Sequence, residues 1–327
     1  MHAWLCTETL GPDSLRWSEL PTPAPKAGEV RIAIRCASLN FPDLLIVQGR
    51  YQVKPPLPFV PGCEFSGVVQ AVGDGVTHLQ VGMRVAAFSG QGGFGTEVCV
   101  PAALVMPLPE AMNFEDAAAF ICTYATTHHA LVDRAALQAG ETVLVLGATG
   151  GVGSAAIQVA KAAGARVIAG TSSPAKCELA LQLGADAAFD YAGGQLREQL
   201  KALTGGKGPD VVYDPVGGPN AEAAFRSIAW RGRYLVIGFA HGEIPALPLN
   251  LALLKGASIV GVFWGDYARR EPRANARTLA ELADWYGQGR VKPHIHQVLP
   301  MAELPQAYAR MSERQVHGKL VLRNPAG

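Results

Sequence analysis

The chain has 327 residues, 49% of them hydrophobic and 17% charged, with a formal net charge of +1. This length and apolar fraction predict two domains with large cores and exclude a disordered chain. The near-neutral charge, with no basic cluster and no apolar run of membrane-spanning length, speaks against nucleic acid or membrane as a partner and leaves a small-molecule substrate as the expectation.

In the first third, Val30, Ile32 and Ile34 alternate as in a half-buried strand. The strand pattern continues over Phe65–Val72 and Arg84–Phe88, between Gly and Pro turns. From about Thr123 the texture changes to helices alternating with short apolar strands. Strands are predicted at Thr142–Leu146, Arg166–Gly170, Ala187–Phe189, Asp210–Tyr213, Arg233–Ile237 and Ser258–Val262. Helices between them include Gly151–Ala163, Pro174–Leu183 and Leu196–Leu203. This order predicts a doubly wound parallel sheet in an α/β fold. After Phe263 come helices near Arg277–Gly287 and Leu304–Met311 and a closing strand Lys319–Leu322. The expectation is that this last piece returns to the first domain. Residues 123–263 then form a domain inserted between 1–122 and 264–327, with a cleft between the two.

The run Val143-Leu144-Val145-Leu146-Gly147-Ala148-Thr149-Gly150-Gly151-Val152-Gly153 carries the most information. It reads as a buried strand, a glycine turn and a helix start, followed by a second strand. Gly150 and Gly151 let the backbone approach a ligand, and Gly153 lets helix and strand pack closely. The free N–H groups at the helix start, around Gly150, Gly151 and Val152, suit a pyrophosphate. A dinucleotide site is therefore predicted.

A chain that holds NAD places Asp or Glu at the end of the second strand. Here that point reads Ala169-Gly170-Thr171-Ser172-Ser173, and the next charge is Lys176. Hydroxyls and a cation hold a 2′-phosphate, which an acid would repel. Ser172 and Lys176 thus favour NADPH. Ser172-Ser173-Pro174 also reads as a helix N-cap with an early proline, and the two roles are compatible.

Met1-His2-Ala3-Trp4 does not read as a signal peptide. Cys6, Cys36, Cys63, Cys99, Cys122 and Cys177 form no Cys-x-x-Cys pair. Both features predict a cytoplasmic protein with reduced thiols.

A β-rich N-terminal part followed by this fingerprint resembles the medium-chain dehydrogenase/reductase superfamily. The resemblance covers essentially the whole chain. It rests on Pro61-Gly62-Cys63-Glu64-Phe65-Ser66-Gly67-Val68-Val69, Val81-Gly82-Met83-Arg84-Val85, Gly92-Gly93-Phe94-Gly95-Thr96-Glu97 and the glycine turn. Within it, Ser38-Leu39-Asn40-Phe41-Pro42-Asp43 looks like the zinc-free NADPH:quinone oxidoreductase branch, whose type member is zeta-crystallin. The resemblance implies a Rossmann domain inserted in a GroES-like catalytic domain. It also implies 2′-phosphate contacts at Ser172, Lys176, Tyr191 and Arg314, and nicotinamide contacts at Thr126 and near Gly238 and Phe263. Zinc members carry ligands where this chain has Asn40, Cys63 and Cys122, and the cysteine-rich structural lobe is missing. A catalytic zinc takes three protein ligands and a water. No metal is therefore expected, although Cys63, Cys122 and Glu64 leave an odd site open.

Without a metal, reduction of a conjugated carbonyl is the chemistry easiest to arrange. It needs a hydride source, a donor at the carbonyl oxygen and an apolar slot. The candidates are Asn40, through its amide, and Tyr51, through its phenol, with Asp43 orienting either one. Phe41, Phe263 and Trp264 are candidate apolar walls. Each has a structural alternative. Asn40 caps a turn, Asp43 opens a helix Asp43–Gln48, Tyr51 packs its ring at an edge, and Phe263 and Trp264 lie in the core. Asp214 reads as fixing a turn. His128 and His129 read as structural, because neighbours on a helix point about 100° apart. Gln48-Gly49-Arg50-Tyr51 is similar to a segment of 2-enoyl thioester reductases whose tyrosine gives the proton. Three readings follow: a quinone or enone reductase, an enoyl-thioester reductase, and an NADPH-binding sensor or accessory protein without turnover. The apolar edge strand Ser258–Val262 predicts a homodimer.

Overall fold

The computed structural model describes residues 1–325. The described chain divides into two compact units, one of Met1–Cys122 plus the chain from Pro293 onward, the other of Thr123–Lys292.

The first unit is built on a seven-stranded sheet. Its long strand Glu29–Leu39 pairs antiparallel with Glu64–Val72, Glu97–Pro101 and Lys319–Arg323. Val30, Ile32 and Ile34 point into the core, where they meet Phe65, Val69, Leu304, Tyr308, Leu320 and Leu322. That is the period of two expected of a strand with one face buried. The pairing register sets Ser38 opposite Glu64. It also sets Leu320 opposite Leu39, so Lys319 arrives beside Asn40. The helix after this strand runs Phe41–Val47 rather than from Asp43. Proline is tolerated in a first turn, where its missing N–H is not needed.

The second unit is a six-stranded parallel sheet. Its spatial order is Ala187–Asp190, Arg166–Thr171, Thr142–Leu146, Val211–Asp214, Arg233–Val236, Ser258–Gly261. This is the doubly wound order, and its switch point lies between Thr142–Leu146 and Val211–Asp214. Val143, Leu144, Val145 and Leu146 are fully buried, as an apolar run covered on both faces should be. Helix Gly151–Ala162 follows the glycine turn. A Cβ at Gly153 would sit 2.2 Å from the Gly147 carbonyl oxygen, so only glycine fits there. Among the described residues no helix is long and apolar enough to cross a membrane.

The chain returns to the first unit at Pro293, not at residue 264 as its texture predicts. Helices Trp264–Arg270 and Pro272–Gly287 belong to the second unit because two histidines hold them there. His129 stacks on Tyr267 with ring centroids 4.0 Å apart. His128 Nε2 lies 3.1 Å from Glu281 and its ring packs against Trp285. Arg290 and Lys292 bond to Ala162 and Gln158 of the same unit. Both histidines sit on a helical run, Ile121–Arg134, that is π-helical at Ile121–Ala125 and His129–Arg134.

Candidate active site

In the first unit the end of strand Glu29–Leu39, the helix after it and the start of strand Glu64–Val72 converge. Asn40, Asp43, Cys63, Glu64, Cys122 and Lys319 are all buried there, and Tyr51 is partly buried. Asp43 accepts the backbone N–H of Asn40 at 2.8 Å and of Cys63 at 2.9 Å. The Cys63 thiol reaches its other oxygen at 3.5 Å. Burial pushes the Asp43 carboxyl up to about 6, and these hydrogen bonds pull partly against that. Asp43 thus closes the first turn of its helix and also fixes Cys63.

Asn40 does not present a free amide. Its Nδ2 donates to Glu64 Oε2 at 3.1 Å and also faces Ser38 and Cys63 Sγ. Its Oδ1 accepts from Lys319 Nζ. Asn40 is also the N-cap residue of helix Phe41–Val47, in a capping box with Asp43. To the capping role the structure adds a buried bridge between Glu64 and Lys319. Glu64 is the hub of this network. It accepts from Ser38 Oγ at 2.9 Å and from the Cys122 N–H at 2.8 Å, with Lys319 Nζ 3.7 Å away.

Tyr51 keeps a different status. Its hydroxyl has no protein partner among the described residues, and its ring packs on the core of the unit. Burial, then the neighbouring Cys122, Cys63 and Asp43, push its phenol up to about 12. It therefore stays protonated at neutral pH and remains a donor.

Cys63 and Cys122 form the thiol part of this cluster. Contact with Cys122 and burial raise the Cys63 thiol well above its ordinary value. The donor set does not suit a catalytic zinc. The first ligand position holds an amide whose oxygen is taken by Lys319, and a cation already stands beside Glu64. Among the described residues no group of three or more His, Cys, Asp or Glu could hold a metal ion.

In the second unit the predicted cofactor residues gather at the carboxyl ends of the parallel strands. The first hydrogen bond of helix Gly151–Ala162 runs from Ser154 N–H to Gly150 O at 2.8 Å. The N–H groups of Gly151, Val152 and Gly153 face outward from that turn with no intrahelical acceptor. Lys176 Nζ donates to Ser172 Oγ at 3.1 Å, so the two expected phosphate partners already meet. Ser173 caps their helix through its side chain. The Tyr191 ring lies against Gly170, where a Cβ would come within 3.3 Å of it. No acid follows strand Arg166–Thr171. The residues present therefore fit a dinucleotide with a 2′-phosphate.

Thr126 is held near the glycine turn by its neighbour Thr127, whose Oγ1 contacts Tyr213 Oη at 3.0 Å and Val152 O at 3.5 Å. Gly238 and Phe263 follow the next two strand ends, Arg233–Val236 and Ser258–Gly261. Phe263 is half exposed, while Trp264 is buried with its Nε1 on Asn275. Of the three candidate walls, Phe263 is thus open, Trp264 is core, and Phe41 is partly buried against the core of the first unit. Asp214 accepts from the N–H groups of Val216 and Gly217 and from the Tyr234 hydroxyl, and so fixes its turn. Arg314 lies in the first unit, after helix Leu304–Ser312, with φ 58°. Sequence reasoning missed Lys319 and the hub role of Glu64. The one available signal was a lysine opening an otherwise apolar closing strand.

Both units match known families. Residues 26–110 match the alcohol dehydrogenase GroES-like domain, and residues 151–283 match the zinc-binding dehydrogenase family. The chain is 39% identical over 323 residues to quinone oxidoreductase-like protein 2 of Bos taurus, covering 98% of this chain and 92% of that protein. A mycobacterial protein solved in complex with NADPH is 32% identical, with TM-score 0.92 over 99% of this chain and 100% of that one. The CurK enoyl reductase is 27% identical, with TM-score 0.90 over 99% of each chain.

Proposed function

The chain belongs to the quinone oxidoreductase branch of the medium-chain dehydrogenase/reductase superfamily, and we propose that it uses NADPH to reduce quinones or other α,β-unsaturated carbonyls without zinc. The observation that carries this reading is the Lys176–Ser172 pair, 3.1 Å apart, at a strand end that lacks an acid. It offers a cation and hydroxyls to a 2′-phosphate. The N–H groups of Gly151, Val152 and Gly153 hold the pyrophosphate. Tyr191 would hold the adenosine end, and Thr126, Gly238 and Phe263 the nicotinamide end; Arg314, in the first unit, is a candidate phosphate contact from the resemblance alone.

When bound, NADPH supplies the hydride. Tyr51 donates a hydrogen bond to the oxygen on which charge develops, and for a carbon acid it supplies the proton. Asp43 and Asn40 act through others: Asp43 fixes Cys63 and the helix start, and Asn40 holds Glu64 and Lys319 together. The substrate is a small molecule, and with six free cysteines the protein suits the reducing cytoplasm. The open edge strand Ser258–Gly261 and the exposed Leu249, Leu253 and Leu254 of the helix before it in the chain support a homodimer.

Titration with both cofactors tests the reading. NADPH is expected to bind at least about tenfold tighter than NADH, about 1.4 kcal/mol, from one or two charge-assisted contacts. Lys176→Ala should weaken NADPH and leave NADH nearly unchanged. Equal affinity for the two in the wild type would overturn the assignment.

A second reading is a 2-enoyl thioester reductase with Tyr51 as proton donor. It is supported by Gln48-Gly49-Arg50-Tyr51 and by the likeness to the CurK enoyl reductase.

A further inference from the structure

Helix Gly151–Ala162 starts at the glycine turn and carries Gln158 further along, partly buried. Both polar atoms of the Gln158 amide are engaged, on two distant stretches of chain. Oε1 accepts from the Tyr124 hydroxyl at 2.8 Å and from the Lys292 N–H at 2.7 Å. Nε2 donates to the Lys292 carbonyl oxygen at 2.9 Å. Tyr124 and Lys292 lie where the chain enters and leaves the second unit, Thr123–Lys292. The paired bonds to the Lys292 backbone fix which way the amide points, so an acceptor faces the Tyr124 hydroxyl. Tyr124 is buried and belongs to the π-helical stretch Ile121–Ala125. A π turn inserts one extra residue and re-aims the side chains that follow it. The next residue is Thr126, the candidate nicotinamide contact. Past it, Thr127 Oγ1 lies 3.5 Å from Val152 O, in the first turn of the same helix. That helix therefore holds the run on either side of Thr126, at Val152 and at Gln158, about 9 Å apart along its axis.

We propose, resting on the NADPH reading above, that Gln158 is a positioning residue for hydride transfer. Through Tyr124 it sets Thr126 against the helix whose first N–H groups hold the pyrophosphate. Both ends of the cofactor are then referred to one rigid element. Gln158 itself touches no reacting atom. Its effect is on placement, and a misplacement of about 1 Å costs on the order of 10²-fold in rate. Leucine at 158 could make none of these bonds. Glutamate would turn a second acceptor toward the Lys292 carbonyl oxygen.

Two variants of the full chain test this. Gln158→Leu removes all three bonds, and Tyr124→Phe removes only the hydroxyl. Should the first fail to fold, the second carries the test alone. Without cofactor, amide hydrogen exchange in Gln158→Leu should quicken together in peptides covering 121–127 and 290–294, by about tenfold or more. Tyr124→Phe should quicken the first peptide alone. NADPH affinity should stay within about threefold of wild type, since the glycine turn, Ser172 and Lys176 are untouched. The kcat for NADPH oxidation should fall by about tenfold or more, and the isotope effect from NADPH deuterated at the transferred position should grow. The double variant should lose no more than Gln158→Leu, because both changes break one bond. Four results overturn the assignment: unchanged exchange over 121–127, wild-type kcat in both variants, a loss carried by NADPH affinity alone, or losses that add in the double variant. A wild type that binds no NADPH would sink the cofactor reading and the proposal together. Any of the four results in a chain that does bind and oxidise NADPH would sink the proposal alone.

Discussion

Lys319, on the last strand, donates through Nζ to the Oδ1 of Asn40, a residue 279 positions earlier in the chain. The same nitrogen is 3.7 Å from Glu64 Oε2, so one buried lysine satisfies an amide and faces a carboxyl at once. The contact exists because the closing strand pairs with the long strand in a register that carries Lys319 to the strand end.

Removing that nitrogen should therefore cost more than a surface ion pair. Lys319→Met leaves the Asn40 oxygen and Glu64 without their cation in a dry site. The expected loss is about 3–5 kcal/mol of stability, as for other buried pairs stripped of one partner. Urea unfolding of the variant measures it. A loss below about 1 kcal/mol would match an exposed pair and contradict the buried network.

The Tyr51 hydroxyl has no protein partner among the described residues, and its phenol is raised to about 12. Tyr51→Phe should lower turnover on an enone or enoyl thioester by roughly 10²-fold. On a quinone the effect should be small, because the reduced oxygen is a weak base and takes its proton from water. NADPH affinity should not change. Steady-state rates on both substrate types check this, and wild-type rates on all of them would remove Tyr51 from the site.

His128 and His129 have their imidazoles pushed down by burial, against the opposing pull of Glu281 and Asp133. The unfolded chain then binds protons more readily than the folded one. Their contribution is intact above the ordinary histidine value of about 6.5 and is lost as pH falls below it. Urea midpoints at pH 8 and pH 5.5 should show the wild type losing more stability toward acid than His128→Gln or His129→Gln. Asp43, raised to about 6, works in the opposite sense between about 6 and its ordinary value. The comparison therefore rests on the difference between wild type and variant. Identical pH slopes would show that the histidines do not titrate with folding.

Strand Ser258–Gly261 ends its sheet with Ile259 exposed, and the preceding helix Leu249–Lys255 exposes Leu249, Leu253 and Leu254. Ile259→Lys and Leu253→Glu are expected to convert a dimer to monomers in sedimentation equilibrium without loss of helix content. A wild-type monomer at micromolar concentration would end the dimer reading.

Much of the second unit was legible because its strands are continuous apolar runs and its turns are marked by glycine. Thr142–Leu146 and Leu196–Leu203 fall where their patterns place them. Ser172 and Lys176 were legible as phosphate partners from the missing acid, and the structure adds that their side chains meet at 3.1 Å. Asn40 was not. Its chemistry type is that of a donor, but its partner Lys319 comes from the far end of the chain, and only sheet register brings the two together. The return of the chain at Pro293 was hidden for a similar reason. It depends on His128 and His129 receiving Glu281, Trp285 and Tyr267, contacts that leave no periodic trace.

The central claim is turnover of NADPH against an electron-poor acceptor by a site that needs no metal. The most direct measurement mixes the purified protein, with a chelator present, with NADPH and in turn a quinone, an enone and an enoyl thioester, and follows the loss of NADPH absorbance. The expected result is oxidation of NADPH by a quinone or enone at a rate the chelator does not change. Tight NADPH binding with no oxidation by any acceptor, or activity lost with one bound zinc per chain, would contradict it.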